Sequence, residues 1–220
     1  MGLQRIEMKI VGAVPLIMNN ARTADPFDPF AKEKKRLATG NDRKTDSGQL
    51  AIGRVEWAGA LYHTEGQVEI GDGQVTWDPA IRVIMPGECV RACLIRGASF
   101  SRLGEKFKSG IIVPNDFELE YDGPKNINEL QNDTRFLLRK CVGQGKGNAK
   151  VRVPRTRPIF RKWAVPIVIE YNDEVINGEQ VWNALIQAGR SRGLGDWTPV
   201  HGRFEVDTAP APTGKKARKG

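Results

Sequence analysis

The chain has 220 residues, 40% of them hydrophobic and 27% charged, an ordinary balance for a globular protein with room for a sizeable core. No apolar run approaches the ~18 residues of a membrane span. Three cysteines, Cys89, Cys93 and Cys141, suit reduced thiols rather than a disulfide framework. The net charge of +8 favours a polyanionic partner without specifying a fold.

The N-terminal segment "MGLQRIEMKIVGAVPLIMNN" has no signal-like apolar region, and Ile6 stands where a myristoylation pattern needs Ser or Thr. The expected location is the cytoplasm, with no membrane partner. Ile6, Met8, Ile10 and Gly12 alternate with Glu7, Lys9 and Val11, which predicts a first strand over Gln4 to Val14. Ala21 to Gln49 is polar, carries Pro26, Pro29 and the run "KEKKR", and reads as an irregular insertion with one helical turn around Phe30 to Leu37. Two apolar segments follow, "LAIGRVEWAGALYHTE" and "QVTWDPAIRVIM", with "GDG" between them as a turn signal.

Pro86 and Gly87 open a helix in which Val90, Cys93, Leu94 and Gly97 recur at helical spacing. Cys89 and Cys93 share one of its faces. Neither His63 nor His201 completes a zinc-ligand spacing with them, so they read as structural thiols and no metal or other cofactor is expected. "SGIIVPNDFELEYDG" predicts strands around a turn at Pro114 to Asp116, and "VGQGKGNAKVRV" predicts a hairpin tip. Val165 to Tyr171 is the clearest strand. "NGEQVWNALIQAGRSRG" is the clearest helix, with Val181, Leu185 and Ala188 on its apolar face beside Trp182 and Ile186, and Gly189 and Gly193 as its stop. "RFEVD" closes as a strand, and Thr208 to Gly220 has the composition of a disordered basic tail. Trp163, Trp182 and Trp197 read as core or rim packing, Trp182 as core by its helical register.

Two segments carry a functional signal. From Asp133 to Glu170 there is no intervening acidic residue, while Arg135, Arg139, Lys140, Lys146, Lys150, Arg152, Arg155, Arg157, Arg161 and Lys162 all fall there. A solvated surface mixes its signs, so a one-signed stretch points to a nucleic acid. The second is "AGRSRGLGDWTPVHGRFEV", where Gly193, Gly195 and Gly202 sit among Arg190, Arg192 and Arg203. Glycine lets backbone amides approach phosphate oxygens closely, and arginine adds bidentate charge.

The order of elements fits an α+β class: a βαββαβ, ferredoxin-like sheet with long insertions. One domain is expected over residues 1–207, with insertions at 21–84 and about 133–163. In that frame the glycine stretch enters the last strand and faces whatever lies across the first helix and the sheet.

Three separated pieces resemble a known family. "IVGAVPLIMNNA" is similar to the first strand and its exit in the RAMP superfamily, the RNA-binding proteins of CRISPR effector complexes. "IMPGECVRACLIR" resembles the entry and basic first helix of its Cas-seven-type backbone subunits, and "RGLGDWTPVHGRF" resembles the glycine-rich loop before the last strand. The chain departs from the family pattern at Glu88 and Cys89, where small hydroxyl residues are usual. It is also short for a backbone subunit, which suits a trimmed or stand-alone relative.

The resemblance implies an RRM-like palm whose copies stack along a guide-like single-stranded RNA, with a basic hairpin as a thumb and other effector subunits as partners. Arg91 and Arg96 on the first helix, Gly193 and Gly195 with Arg190, Arg192 and Arg203 around the loop, and Lys146, Lys150, Arg152, Arg155 and Arg157 on the arm would hold the RNA. Phe160 and Trp163 would be available to stack on bases. For catalysis the resemblance implies two routes: His201 as a general acid or base, as in the processing endonucleases of the superfamily, or Asp25 or Asp28 in the part of the strand-cleaving aspartate that some backbone subunits hold after the first strand. The reading is binding, not catalysis. The alternatives are a metal-independent endoribonuclease of the same superfamily and a single-stranded DNA-binding protein.

Overall fold

A computed structural model describes residues 2–144 and 151–207. The chain begins with strand β1 (Leu3–Gly12), whose Ile10 is fully buried while Leu3, Arg5, Glu7 and Val11 face solvent. Strand β2 (Leu16–Ile17) follows after a turn. The segment expected to be irregular is instead largely helical: α1 (Pro29–Thr39), then α2 (Asp46–Ala60). Asp28 accepts from the Phe30 amide at 2.8 Å and Pro29 occupies the first turn, so α1 has a strong start. Thr45 caps α2 through the Gly48 amide at 3.1 Å.

"GDG" makes the turn of a hairpin, β3 (Val68–Gly71) and β4 (Gln74–Trp77). Then come β5 (Ile84–Met85) and α3 (Gly87–Ala98), which opens at Pro86 and Gly87 and buries Val90, Cys93, Leu94 and Gly97 as its spacing predicts. The next elements are short: α4 (Gly104–Gly110), β6 (Ile111–Ile112), β7 (Phe117–Glu118), β8 (Glu120–Tyr121) and α5 (Ile127–Leu130). The long hairpin strands β9 (Leu137–Gln144) and β10 (Val151–Phe160) lead to β11 (Trp163–Asn172), α6 (Gly178–Ser191) and β12 (Phe204–Val206).

The main sheet has the order β12–β1–β11–β6, with β8 also on β11, and every pairing in it is antiparallel. Helix α3 lies between β1 and β6 in sequence, and α6 between β11 and β12. The two helices pack on each other so closely at Gly97 that a β-carbon there would strike the Ala184 carbonyl and Ala188. A second sheet, β2–β10–β9, carries the basic hairpin. One apolar core runs through these layers and includes Trp57, Trp77, Phe107 and Phe160, all 2% exposed or less.

Helix α6 runs through Gly189 to Ser191 rather than stopping at Gly189, because Gly189 serves close contact with Phe204 of β12. Its buried face is Val181, Ala184, Leu185, Ala188 and Gly189. Trp182 flanks that face and is only half-buried, which corrects its reading as core.

Candidate nucleic-acid interface

The glycine loop is built by its own backbone. Gly193, Gly195 and Gly202 hold φ of +81°, +77° and +76°, left-handed values that glycine adopts without a side-chain clash. Leu194 N–H donates to Gly202 O at 2.9 Å, Asp196 N–H to Ile17 O at 2.8 Å, and Gly202 N–H to Pro15 O at 2.8 Å. Gly193 N–H caps α6 through Ala188 O at 2.9 Å. The amides of Gly193 and Gly202 are therefore spent inside the protein, and these two glycines serve the turn and its docking on the β1–β2 connection. Gly195 is exposed.

The loop joins α3 and the basic hairpin. Cys93 Sγ donates to Gly193 O at 3.2 Å. Burial pushes the Cys93 thiol up to about 12; Arg96 and Arg192 both oppose that rise, so both cations lie within electrostatic reach of one sulfur. Arg192 also lies over the Phe100 ring at 4.9 Å. On the other side, Lys140 of β9 lies 5.4 Å from the Trp197 ring centroid. Arg96, Arg192 and Arg203 are exposed, as are Arg190 at the end of α6 and Arg152 on β10. The result is a cationic band from α3 across the loop to the hairpin.

Other cations of the one-signed segment are committed to the fold. Glu56 of α2, 2% exposed, accepts from Lys34 Nζ at 2.8 Å, Arg155 Nη1 at 2.9 Å and the Thr156 amide at 2.8 Å, with Arg157 Nη1 at 3.5 Å. Burial opposes ionisation of Glu56. Lys34, Thr156 and Arg155 outweigh it and hold the carboxyl below its ordinary range. Arg135 pairs with Asp133 at 2.6 Å, and Arg139 donates to Gln49 at 3.0 Å. Arg91 donates to the Lys108 carbonyl at 2.6 Å, which makes it a brace between α3 and α4 rather than a free helix charge. Lys146 and Lys150 lie outside the described residues.

Phe160 is fully buried against Tyr121 and Phe136, so it has no face to give a base; this corrects its reading as a stacking residue. Trp163 is also core and donates its indole N–H to Val14 O at 2.9 Å. Asp28 is consumed as the α1 cap, and Asp25 accepts from the Phe27 amide at 2.8 Å. His201 stands half-buried beside Trp197, ring centroids 6.1 Å apart, and its Nδ1 is buried without a partner among the described residues. Neither Lys nor Tyr is paired with it, so the general acid–base reading of His201 gains no companion group among the described residues. No group of three His, Cys, Asp or Glu residues suited to a metal comes together among the described residues.

Beside the start of α3 lies a cleft of about 640 Å³ lined by Arg22, Tyr62, His63, Gly87, Glu88 and Asp116, among others. His63 Nδ1 faces Thr64 O at 2.7 Å and its Nε2 faces Arg22 Nη1 at 2.9 Å, an arrangement that fits a neutral ring accepting from arginine. Burial lowers the His63 pKa in the same sense. Burial, then Cys89, raises that of Tyr62.

No protein-family model matches the chain, and no curated protein matches it. Among solved structures it is similar to a chain of the type III-B Cmr-beta bound to cognate target RNA, at 9% identity and a TM-score of 0.48. That match covers 95% of this chain and 60% of the other, so this chain spans about three-fifths of its length. It is also similar to Cmr6 from Pyrococcus furiosus, at 12% identity and a TM-score of 0.34, over 93% of this chain and 98% of the other. The functional reading stands on the chain's own residues.

Proposed function

We propose that this protein binds single-stranded RNA without cleaving it, on a ferredoxin-like, RRM-like palm, and that copies of it line up along the strand as RAMP backbone subunits do. The strand order β12–β1–β11–β6 with α3 and α6 as its two crossovers supports the palm. The observation that carries the binding reading is the cationic band: Arg96 shares α3 with Cys93, Arg192 precedes the Gly193 that Cys93 bonds, and Trp197 of the same loop lies beside Lys140 of the hairpin. A basic surface with an aromatic ring set into it is what a single strand needs, because phosphates take the charge and bases take the ring. The RNA partner, the self-assembly and further effector subunits follow from the resemblance of the three segments. No helix among the described residues is long and apolar enough to cross a membrane.

The test is whether the purified protein carries nucleic acid. Absorbance at 260 and 280 nm is read before and after RNase or DNase, with mass by size exclusion. RNase-sensitive nucleic acid in a high-mass species is expected. DNase-sensitive material would replace RNA with single-stranded DNA. A monomer that gains no mass with added RNA would overturn the proposal, and shortening of labelled RNA in EDTA would overturn its non-catalytic part.

A further inference from the structure

We infer that Trp197 is a stacking platform for a nucleobase, which makes the ligand of the cationic band a base-bearing single strand read without sequence preference. This rests on the RNA-binding reading above. Four observations on one residue carry it.

The first is where the indole sits. Trp57, Trp77 and Trp163 are core residues, and each indole N–H donates to the protein: to Phe136 O at 2.9 Å, Gln131 Oε1 at 3.3 Å and Val14 O at 2.9 Å. Trp182 and Trp197 are partly exposed, and neither indole N–H donates to a described residue, but Trp182 belongs to α6 whereas Trp197 stands in the glycine loop. A tryptophan used for packing normally finds a partner for that group.

The second is the backbone. Trp197 has φ of +54°, a conformation that bulky L-residues avoid. Gly193, Gly195 and Gly202 supply the other left-handed positions of this loop, so a glycine at position 197 would meet the geometry without strain. Retaining the largest side chain there suits a task the fold itself does not need.

The third is that the residue is held. Its N–H donates to Asp196 Oδ1 at 3.0 Å, its carbonyl accepts from the His201 amide at 3.2 Å, and Asp196 N–H is fixed on Ile17 O at 2.8 Å. With the backbone beneath the ring fixed, little more than side-chain freedom is lost when a base settles on it. The fourth is the company it keeps: the Lys140 ammonium lies 5.4 Å from the ring centroid, so a cation for the phosphate adjoins a surface for the base.

The test compares a short fluorescent oligouridylate with an abasic phosphodiester of the same length and charge, by anisotropy at one salt concentration. Wild-type protein should prefer the oligouridylate. Trp197→Gly should weaken oligouridylate binding by roughly 5- to 150-fold and leave the abasic affinity unchanged. Trp197→Phe should retain most of the binding. The melting temperature of Trp197→Gly should equal or exceed that of the wild type, because the left-handed backbone is relieved. Unchanged oligouridylate binding by Trp197→Gly would overturn the inference alone. So would a fall in melting temperature with equal losses for both oligomers, which marks a packing residue. If the wild type bound neither oligomer, the RNA-binding reading would fail and this inference with it.

Discussion

Cys93 Sγ donates to Gly193 O at 3.2 Å, so the middle of α3 is tied directly to the first glycine of the loop that precedes β12. Cys93 is 4% exposed, and burial pushes its pKa up to about 12. Cys141 is exposed. In the native protein a thiol reagent should therefore modify Cys141 quickly and leave Cys93 untouched until the chain unfolds. The same burial predicts a pH effect. Above the ordinary thiol pKa of 9.0 the unfolded chain loses this proton while the folded chain keeps it up to about 12. The folded state binds more protons in that window, so stability falls as pH rises across it. Cys93→Ala should remove this part of the slope, read from denaturant midpoints at stepped pH.

A β-carbon on Gly202 would run into the Leu194 carbonyl, and Leu194 cannot retreat because its amide is bonded to Gly202 O at 2.9 Å. Gly202→Ala should therefore cost more than the about 1–2 kcal/mol of a left-handed L-residue. Gly71, at the end of β3, has open space around its β-carbon position and supplies the control. Gly71→Ala should stay within about 0.5 kcal/mol of the wild type. Chemical unfolding of the two variants checks both. Equal midpoints would mean that the loop does not hold the backbone described above.

Glu56 gathers Lys34, Arg155 and Arg157 around one buried carboxylate. Glu56→Gln leaves three cations facing one another, and the expected loss lies toward the lower end of about 3–5 kcal/mol because Lys34 and Arg155 keep some access to water. Its depressed pKa gives the sign of the acid effect. The stabilisation is fully present above the ordinary carboxyl value of 4.5 and disappears as pH falls through the lower folded value. A melting series below pH 5 should show a steeper loss in the wild type than in Glu56→Gln.

How much of this could be read in advance depended on the range of the interactions. The first strand, α3, β11 and β12 are legible because their signals are local: alternation through Ile6, Met8 and Ile10, helical spacing through Val90, Cys93, Leu94 and Gly97, and Pro86–Gly87 as an entry. Helix α1 is hidden because its one apolar side is thin, with Phe30 buried and Glu33 drawn in by Arg36 at 2.7 Å and the Gly73 amide at 2.8 Å. Helix α2 carries Gly48, Gly53 and Gly59, which look like breakers in sequence. In the structure Gly48 lies against the Asp42 carbonyl, Gly53 against Thr156 and Gly59 against Phe30, so all three are points of close packing. The site shows the same division. Arg155 and Arg157 read as a free cationic arm because Glu56, which neutralises them, stands about a hundred residues earlier. Nothing local to Phe160 reveals that Tyr121 and Phe136 enclose it. Trp197 could have been singled out from "GLGDWTP", a bulky ring inside a glycine turn, but the lysine beside it comes from another element.

The last prediction separates the exposed cations from the buried ones. Phosphate contacts release counterions, and each contact on a single strand contributes about −0.7 to the slope of log affinity against log salt. Arg96, Arg192 and Lys140 lie on the band and make no ion pair among the described residues, whereas Arg91, Arg155 and Arg157 are held by carbonyls or by Glu56. Changing Arg96, Arg192 and Lys140 together to alanine should flatten the slope by about 2 and weaken RNA binding at every salt concentration. The melting temperature should barely move, because surface substitutions away from such braces typically shift stability by no more than about 0.5 kcal/mol. Arg91→Ala should do the reverse: it loosens α3 from α4, lowers the melting temperature and leaves the slope where it was. A triple variant with wild-type slope and affinity would place the RNA elsewhere on the protein and remove the band as its track.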